Sequence, residues 1–159
     1  MNAEPPFAAI LAMPTCRLGV RIRAGALTEL VFLPPTEATQ PANDPLCVAL
    51  EQALSRYLAA ACDFPALPRV LDGTPFQRRV WAAISAIPRG KILRYRDIAD
   101  SLASAPRAVG QACGANPLPL IIPCHRVLAS TGLGGFANHT TGWLVETKRW
   151  LLWHEGVLA

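Results

Sequence analysis

Cys124 and His125 are adjacent and follow a short apolar run, Leu118–Ile122. A thiol acts as a nucleophile only as its thiolate, which needs a base and a favourable field. A histidine beside it, at a break in regular structure, is a residue type that supplies the base. A cysteine taken alone is more often an inert small hydrophobe. Glu155 is the third candidate, because the pattern from Trp143 to His154 places it at the C-terminal end of a helix. A carboxylate there opposes the helix dipole, so it calls for a partner. A carboxylate that orients a histidine, which in turn deprotonates a thiol, is the logic of a catalytic triad. A solvated helix end is the plain alternative, and sequence alone leaves the pairing of Glu155 with His125 open.

These residues lie apart in the chain, so the elements around them must bring them together. Thr74-Pro75-Phe76-Gln77 has the form of a capping box with proline at the first helical position. The helix it opens carries Phe76, Val80, Trp81, Ile84 and Ile87 on one face, and Pro88 and Gly90 stop it. Tyr95 to Ala103 reads as a second, short helix. Ser104 and Pro106 open a third, from Arg107 toward Asn116. Two short helices with a tight turn and basic flanks suggest a helix-turn-helix. The third is nearly bare, with Ala108, Gly110, Ala112, Gly114 and Ala115. A mid-helix glycine costs on the order of 1 kcal/mol relative to alanine, and a bare surface lets another backbone come close. That backbone belongs either to the protein itself or to a nucleic-acid groove. A glycine-rich loop from Gly132 to Gly142 precedes the closing helix, Trp143–His154.

The N-terminal part has strand-like pieces around Ala8–Ala12, Gly19–Ile22 and Leu27–Phe32. Pro34-Pro35, Pro41 and Pro45 mark a loop, and Cys47–Ala60 reads as an amphipathic helix carrying Val48, Leu50, Leu54, Tyr57 and Leu58. Arg69–Gly73 reads as a junction. The expected fold class is α/β: a small lobe with an antiparallel sheet and a helix over residues 1–72, then a mostly helical lobe over 73–159 with a helix-turn-helix.

Composition narrows the classes. A chain of 159 residues that is 52% hydrophobic can bury a core and is not disordered. No apolar run reaches the roughly 18 residues of a membrane span. The N-terminus lacks a positive n-region, so no signal peptide is expected. Cys16, after Leu-Ala-Met-Pro-Thr, imitates a lipoprotein site without its basic residues. Five cysteines, an odd number with no C-x-x-C spacing, suggest neither a disulfide framework nor a zinc site. A cytosolic chain with reduced thiols fits that usage. The net charge is +4, unevenly spread. Residues 1–72 hold five arginines against seven carboxylates, whereas 73–159 hold ten basic residues against four acidic ones. Between Arg78 and Arg107 there are seven basic and two acidic residues, a focus that suits a polyanion such as DNA. A solvated basic face is the simpler account of charge alone.

The run Asn116-Pro117-Leu118-Pro119-Leu120-Ile121-Ile122-Pro123-Cys124-His125-Arg126-Val127 closely resembles the acceptor motif of the O6-alkylguanine-DNA alkyltransferases. The likeness extends from Thr74-Pro75-Phe76-Gln77 through Tyr95, Arg107-Ala108-Val109-Gly110 and Trp150-Leu151-Leu152 to His154-Glu155-Gly156. The resemblance implies direct-reversal DNA repair, with irreversible, single-turnover transfer of an alkyl group from guanine O6 to Cys124. Thymine O4 is a second candidate donor. His125 would take the thiol proton through a water, Glu155 would hold the histidine, and Asn116 would brace the turn that carries the cysteine. Tyr95 would donate to guanine N3 as the base leaves. The carbonyls of Cys124 and Val127 would receive the guanine amino group. Arg107 would enter the base stack in place of the flipped base, with Ala108 and Gly110 in the minor groove and Arg94 beside the DNA. Phe136 would line the substrate pocket. Double-stranded DNA is the implied partner, the protein would act as a cytoplasmic monomer, and no metal or organic cofactor is implied.

The chain departs from the family pattern in three ways. The stretch from Tyr95 to Arg107 is shorter than is common. The loop after Cys124 is longer, with Phe136 and one of Asn138, Thr140 or Thr141 where many relatives carry a Tyr and a Ser. The N-terminal lobe lacks the zinc ligands that some relatives have. Three rival readings remain: an inert alkyltransferase-like lesion binder, a helix-turn-helix transcription factor, and a cysteine hydrolase. The first lacks an acceptor cysteine in known relatives, the second needs base-reading side chains that the bare third helix does not offer, and the third would turn over.

Overall fold

The structure, a computed structural model, describes residues 6–60, 62–135 and 142–158. The chain separates into two compact units, Met1–Leu71 and Asp72–Ala159.

The first unit is built on a three-stranded antiparallel sheet of β1 (Ala9–Ala12), β2 (Arg17–Arg23) and β3 (Ala26–Leu33), in that order. Ala24 and Gly25 join β2 to β3 with φ of 52° and 76°, the left-handed pair that a two-residue hairpin turn requires. Alternation sets one face of the sheet: Leu18 and Val20 of β2 are buried, paired in register with buried Phe32 and Leu30 of β3. Helix α1 (Pro45–Ala60) supplies buried Leu50, Leu54 and Tyr57, and Phe64 stacks on the Tyr57 ring at 5.1 Å. The three expected strands and the helix are therefore present, with β2 starting two residues before Gly19.

The second unit begins at the expected capping box. Thr74 Oγ1 accepts from the Gln77 amide at 3.1 Å, and Gln77 Oε1 accepts from the Thr74 amide at 2.9 Å. Helix α2 (Pro75–Ser85) buries Val80, Trp81 and Ile84, and Ile87 just beyond is buried too. The Trp81 indole donates to the Ala112 carbonyl at 2.9 Å, tying α2 to α4 (Pro106–Gly114). Between them lies α3 (Tyr95–Ser101), so α3, a four-residue turn and α4 form a helix-turn-helix.

Two boundaries differ from the sequence reading. Helix α3 stops at Ser101, not Ala103, because Ala103 takes φ 53° and the Ser104 amide reaches back to the Ala99 carbonyl at 2.8 Å. That is a left-handed helix stop normally made with glycine. Helix α4 ends at Gly114, short of Asn116, which is turned to other work. The structure also adds a parallel pair, β4 (Leu93–Arg94) with β5 (Val127–Leu128). It sets the start of α3 beside the chain leaving His125. Helix α5 (Trp143–His154) closes the unit with Leu144, Val145, Thr147, Lys148, Leu151 and Leu152 buried. Among the described residues, no helix is long and apolar enough to cross a membrane.

Candidate active site

Asn116 organises the turn that carries the cysteine. Its Oδ1 accepts from the Leu118 amide at 2.9 Å, and its Nδ2 donates to the Ile122 carbonyl at 2.8 Å. Leu120, between these anchors, is held at φ 76°. A non-glycine residue there costs on the order of 1–3 kcal/mol and persists only where its surroundings over-determine it. The chain then enters a single 3₁₀ turn, Cys124–Arg126, with all three residues buried. Asn116 Nδ2 also donates to Cys124 Sγ at 2.9 Å.

A hydrogen bond with the Cys113 side chain, followed by burial, pushes the Cys124 thiol well above its ordinary range. The Asn116 amide and the Lys148 charge pull the other way. The resting group is thus a thiol, and the reaction itself must remove its proton.

His125 follows Cys124 in the same buried turn. Its Nε2 lies 2.8 Å from Glu155 Oε2, and both side chains are buried. An ionised carboxylate only accepts hydrogen bonds, so Nε2 carries the hydrogen and Nδ1 presents its lone pair. Nδ1 is buried and has no hydrogen-bond partner among the described residues. Burial lowers the His125 pKa, against the opposing pull of Glu155. The imidazole is therefore neutral near pH 7 and able to accept a proton.

Glu155 occupies the cap of α5 through a left-handed stop. Gly156 takes φ 82°, its amide donates to the Trp153 carbonyl at 3.0 Å, and the Val157 amide donates to the Leu152 carbonyl at 2.9 Å. The carboxylate opposes the helix dipole, as the sequence indicated. What offsets this includes a residue the sequence reading missed. Arg126 Nε donates to Oε1 at 2.8 Å and Nη2 to Oε2 at 3.1 Å, while Nη1 donates to the Ile87 carbonyl at 2.7 Å. A planar fork of this kind holds a carboxylate bidentately.

Lys148 was missed as well. Its ammonium is fully buried and donates to the carbonyls of Val127, Leu133 and Gly135 at 2.8, 2.7 and 2.9 Å. It pins the loop after Cys124 and stands 5.9 Å from the centre of the Tyr95 ring. Burial lowers its pKa from 10.5 to about 8. That shift corresponds to roughly 3 kcal/mol of disfavoured charge, and the three carbonyls solvate the cation in place of water. One signal was available: Lys148 falls on the apolar stripe of α5, in step with Leu144, Leu151 and Leu152. Lys148→Met should leave those carbonyls without their donor. We expect a stability loss of about 1–3 kcal/mol and slower chemistry at Cys124. Urea unfolding and single-turnover rates check this, and an unchanged rate would deny the loop clamp any part in function.

Tyr95 starts α3 beside this loop. The Gly134 backbone lies so close that an added Cβ would sit 3.1 Å from the Tyr95 ring. Burial first, then Cys113 and Cys124, raise the phenol pKa, keeping it a proton donor. The Cys124 carbonyl already accepts from the Val127 amide and the Val127 carbonyl from Lys148, leaving each a second lone pair. Arg94 commits one nitrogen to the Ala129 carbonyl at 2.5 Å. Arg107 is exposed at the start of α4, Ala108 is half-buried, and a Cβ at Gly110 would meet nothing within 4 Å. Phe136, Asn138, Thr140 and Thr141 lie outside the described residues.

The arrangement combines a buried thiol, a neutral histidine held by a carboxylate, and a phenol that stays protonated. Comparisons with known proteins agree in kind. The family model described as "6-O-methylguanine DNA methyltransferase, DNA binding domain" matches residues 75–157. A methylated-DNA–protein-cysteine methyltransferase of Salmonella typhimurium is 49% identical over 95 residues, which is 58% of this chain and 53% of that protein. The matched region thus spans about half the length of that relative. The crystal structure of the Mycobacterium tuberculosis O6-methylguanine methyltransferase is similar with a TM-score of 0.77 at 33% identity, covering 94% of this chain and 92% of that one. A structure of Mycobacterium tuberculosis OGT in complex with DNA gives 0.75 at 34% identity, over 92% and 90% of the two chains. On the family match across half the chain, and on the full-length likeness to a solved relative, this chain belongs to the O6-methylguanine DNA methyltransferase family.

Proposed function

We propose that the protein repairs alkylated duplex DNA by moving an alkyl group from guanine O6 to Cys124, once per molecule. Residues 73–159 would form the DNA-binding and alkyl-acceptor domain, and 1–72 an N-terminal α/β lobe. The observation that carries the reading is the buried turn holding Cys124 and His125, with Glu155 bonded to the histidine and its Nδ1 without a partner among the described residues.

The reaction balances simply. Sγ loses its proton toward His125 Nδ1, through a water, and attacks the alkyl carbon. The S–C bond forms as the O6–C bond breaks, and its electron pair stays on the guanine. The base leaves neutral by gaining a proton at N3, with Tyr95 as donor. The histidine returns its proton to Tyr95 through solvent. A thioether resists hydrolysis, so the acceptor does not regenerate. A base inside the duplex hides O6, so it must be flipped out at a cost of a few kcal/mol. Minor-groove docking of α4 suits this, because Gly110 leaves the helix backbone open to close approach. A protein with reduced thiols, working as a monomer in the cytosol, completes the reading.

Duplex DNA with a radiolabelled O6-methyl group tests it. The label should reach the protein at one equivalent per molecule and then stop. Repeated release of label as methanol would mean a hydrolase.

Arg107 separates two modes of DNA contact. If it only met phosphate, Arg107→Ala would lower the salt slope by about one unit and leave repair at saturating DNA intact. We expect instead that it fills the gap left by the flipped base. The variant should then be slow on duplex DNA even at saturation and nearly normal on the free modified base. Equal slowing on both substrates would point to damage in the fold.

A further inference from the structure

Residues 73–159 contain two cysteines, Cys113 and Cys124, and the fold brings them together. Cys113 lies in the last turn of α4, and Cys124 opens the 3₁₀ turn. The Cys124 thiol donates to the Cys113 carbonyl oxygen at 3.7 Å, which sets the two residues side by side. The mechanism proposed above uses one thiol only, so Cys113 is a second nucleophile that the reaction leaves idle. It is also the more open of the two, half-buried where Cys124 is 6% exposed. Cys16 and Cys47 belong to the other unit and are buried.

We propose that Cys113 and Cys124 form a reversible disulfide under hydroperoxide stress, which stores the acceptor sulfur in a protected and inactive form. Cys113 sulfur attacks the peroxide and the O–O bond breaks. An alcohol leaves, or water from hydrogen peroxide, and Cys113 becomes a sulfenic acid. Cys124 sulfur then bonds to Cys113 sulfur, and the hydroxyl departs as water with the Cys124 proton. Two thiols lose two hydrogens and two electrons, and one hydroperoxide is reduced. The sulfurs must close to about 2.05 Å. A one-use acceptor has a particular exposure to oxidants. Sulfinic and sulfonic acids at Cys124 would consume the molecule without repair, whereas a disulfide can be undone by a dithiol. The silencing half of the proposal rests on Cys124 being the alkyl acceptor, while the disulfide itself does not.

The test treats the whole, fully reduced protein with one to a few equivalents of tert-butyl hydroperoxide. Free thiols are then blocked, and peptides are mapped by mass without reduction. The expected result is a Cys113–Cys124 cross-linked peptide two hydrogens lighter than the pair of free peptides. Methyl transfer should be lost in parallel and recovered with dithiothreitol. Cys113→Ser and Cys113→Ala, each scored against its own reduced rate, should lose transfer without recovery. Two free thiols after treatment would overturn the proposal, as would cross-links to Cys16, Cys47 or Cys62 instead. Recovery as full in both variants as in the parent would overturn it too. If the reduced parent protein transfers no methyl group at all, the alkyl-acceptor reading fails, and the cross-linked peptide still decides the redox chemistry.

Discussion

Cys124→Ala should yield a folded protein that binds duplex DNA and transfers nothing. Among the described residues, Cys124 is the cysteine whose sulfur the Asn116 amide holds in the turn beside His125. Removing one sulfur from a site 6% exposed leaves a small cavity and costs little stability. Helix α4 keeps its anchor, because Trp81 still donates to the Ala112 carbonyl. Binding isotherms on methylated duplex should match the parent, and label transfer should fall to background. Transfer that survives, or moves to Cys113, would reassign the acceptor.

The second large effect concerns the buried ionic cluster. Glu155→Ala removes the carboxylate that receives both Arg126 and His125. It leaves a guanidinium buried without its partner, a change worth about 3–5 kcal/mol. Set against a total of roughly 5–15 kcal/mol for a domain, that threatens the fold itself. Glu155→Gln is the informative variant, since it keeps the shape and one acceptor oxygen. It should lose less stability and still slow transfer strongly, because His125 is no longer held with its hydrogen on Nε2. Paired with His125→Ala, the two losses should be less than additive, as for groups acting as a unit. Strictly additive losses would confine Glu155 to a structural role. The sign of the pH dependence follows from His125. Folding lowers its pKa from 6.5, so below that value the unfolded chain takes up the proton first. This contribution to stability is complete above about pH 6.5 and is lost as pH falls through the folded value.

Much of this was legible in the sequence because its signals are local. The Thr74–Gln77 box, Pro88 with Gly90, and Glu155-Gly156 each fix a helix end through short-range geometry. The helix-turn-helix came from the same kind of punctuation. What escaped notice depended on contacts between distant residues or on exceptions to a rule. Ala103 stops α3 in a conformation that usually announces itself by glycine. The β4–β5 pair is two residues long, too short to show alternation. The partners of Arg126 and Lys148 are distant in sequence: the fold supplies a carboxylate for one and three carbonyls for the other. The link between Glu155 and His125 was open in the sequence, and it is a bond of 2.8 Å in the structure.

The central claim is a covalent one, and intact mass tests it most directly. The reduced protein, incubated with duplex DNA carrying O6-methylguanine, should gain the mass of one methylene per molecule. Peptide mapping should place it on Cys124, and the DNA should end with unmodified guanine. A protein of unchanged mass with the lesion still in the DNA would contradict the account, as would a methylene mapped to any other residue.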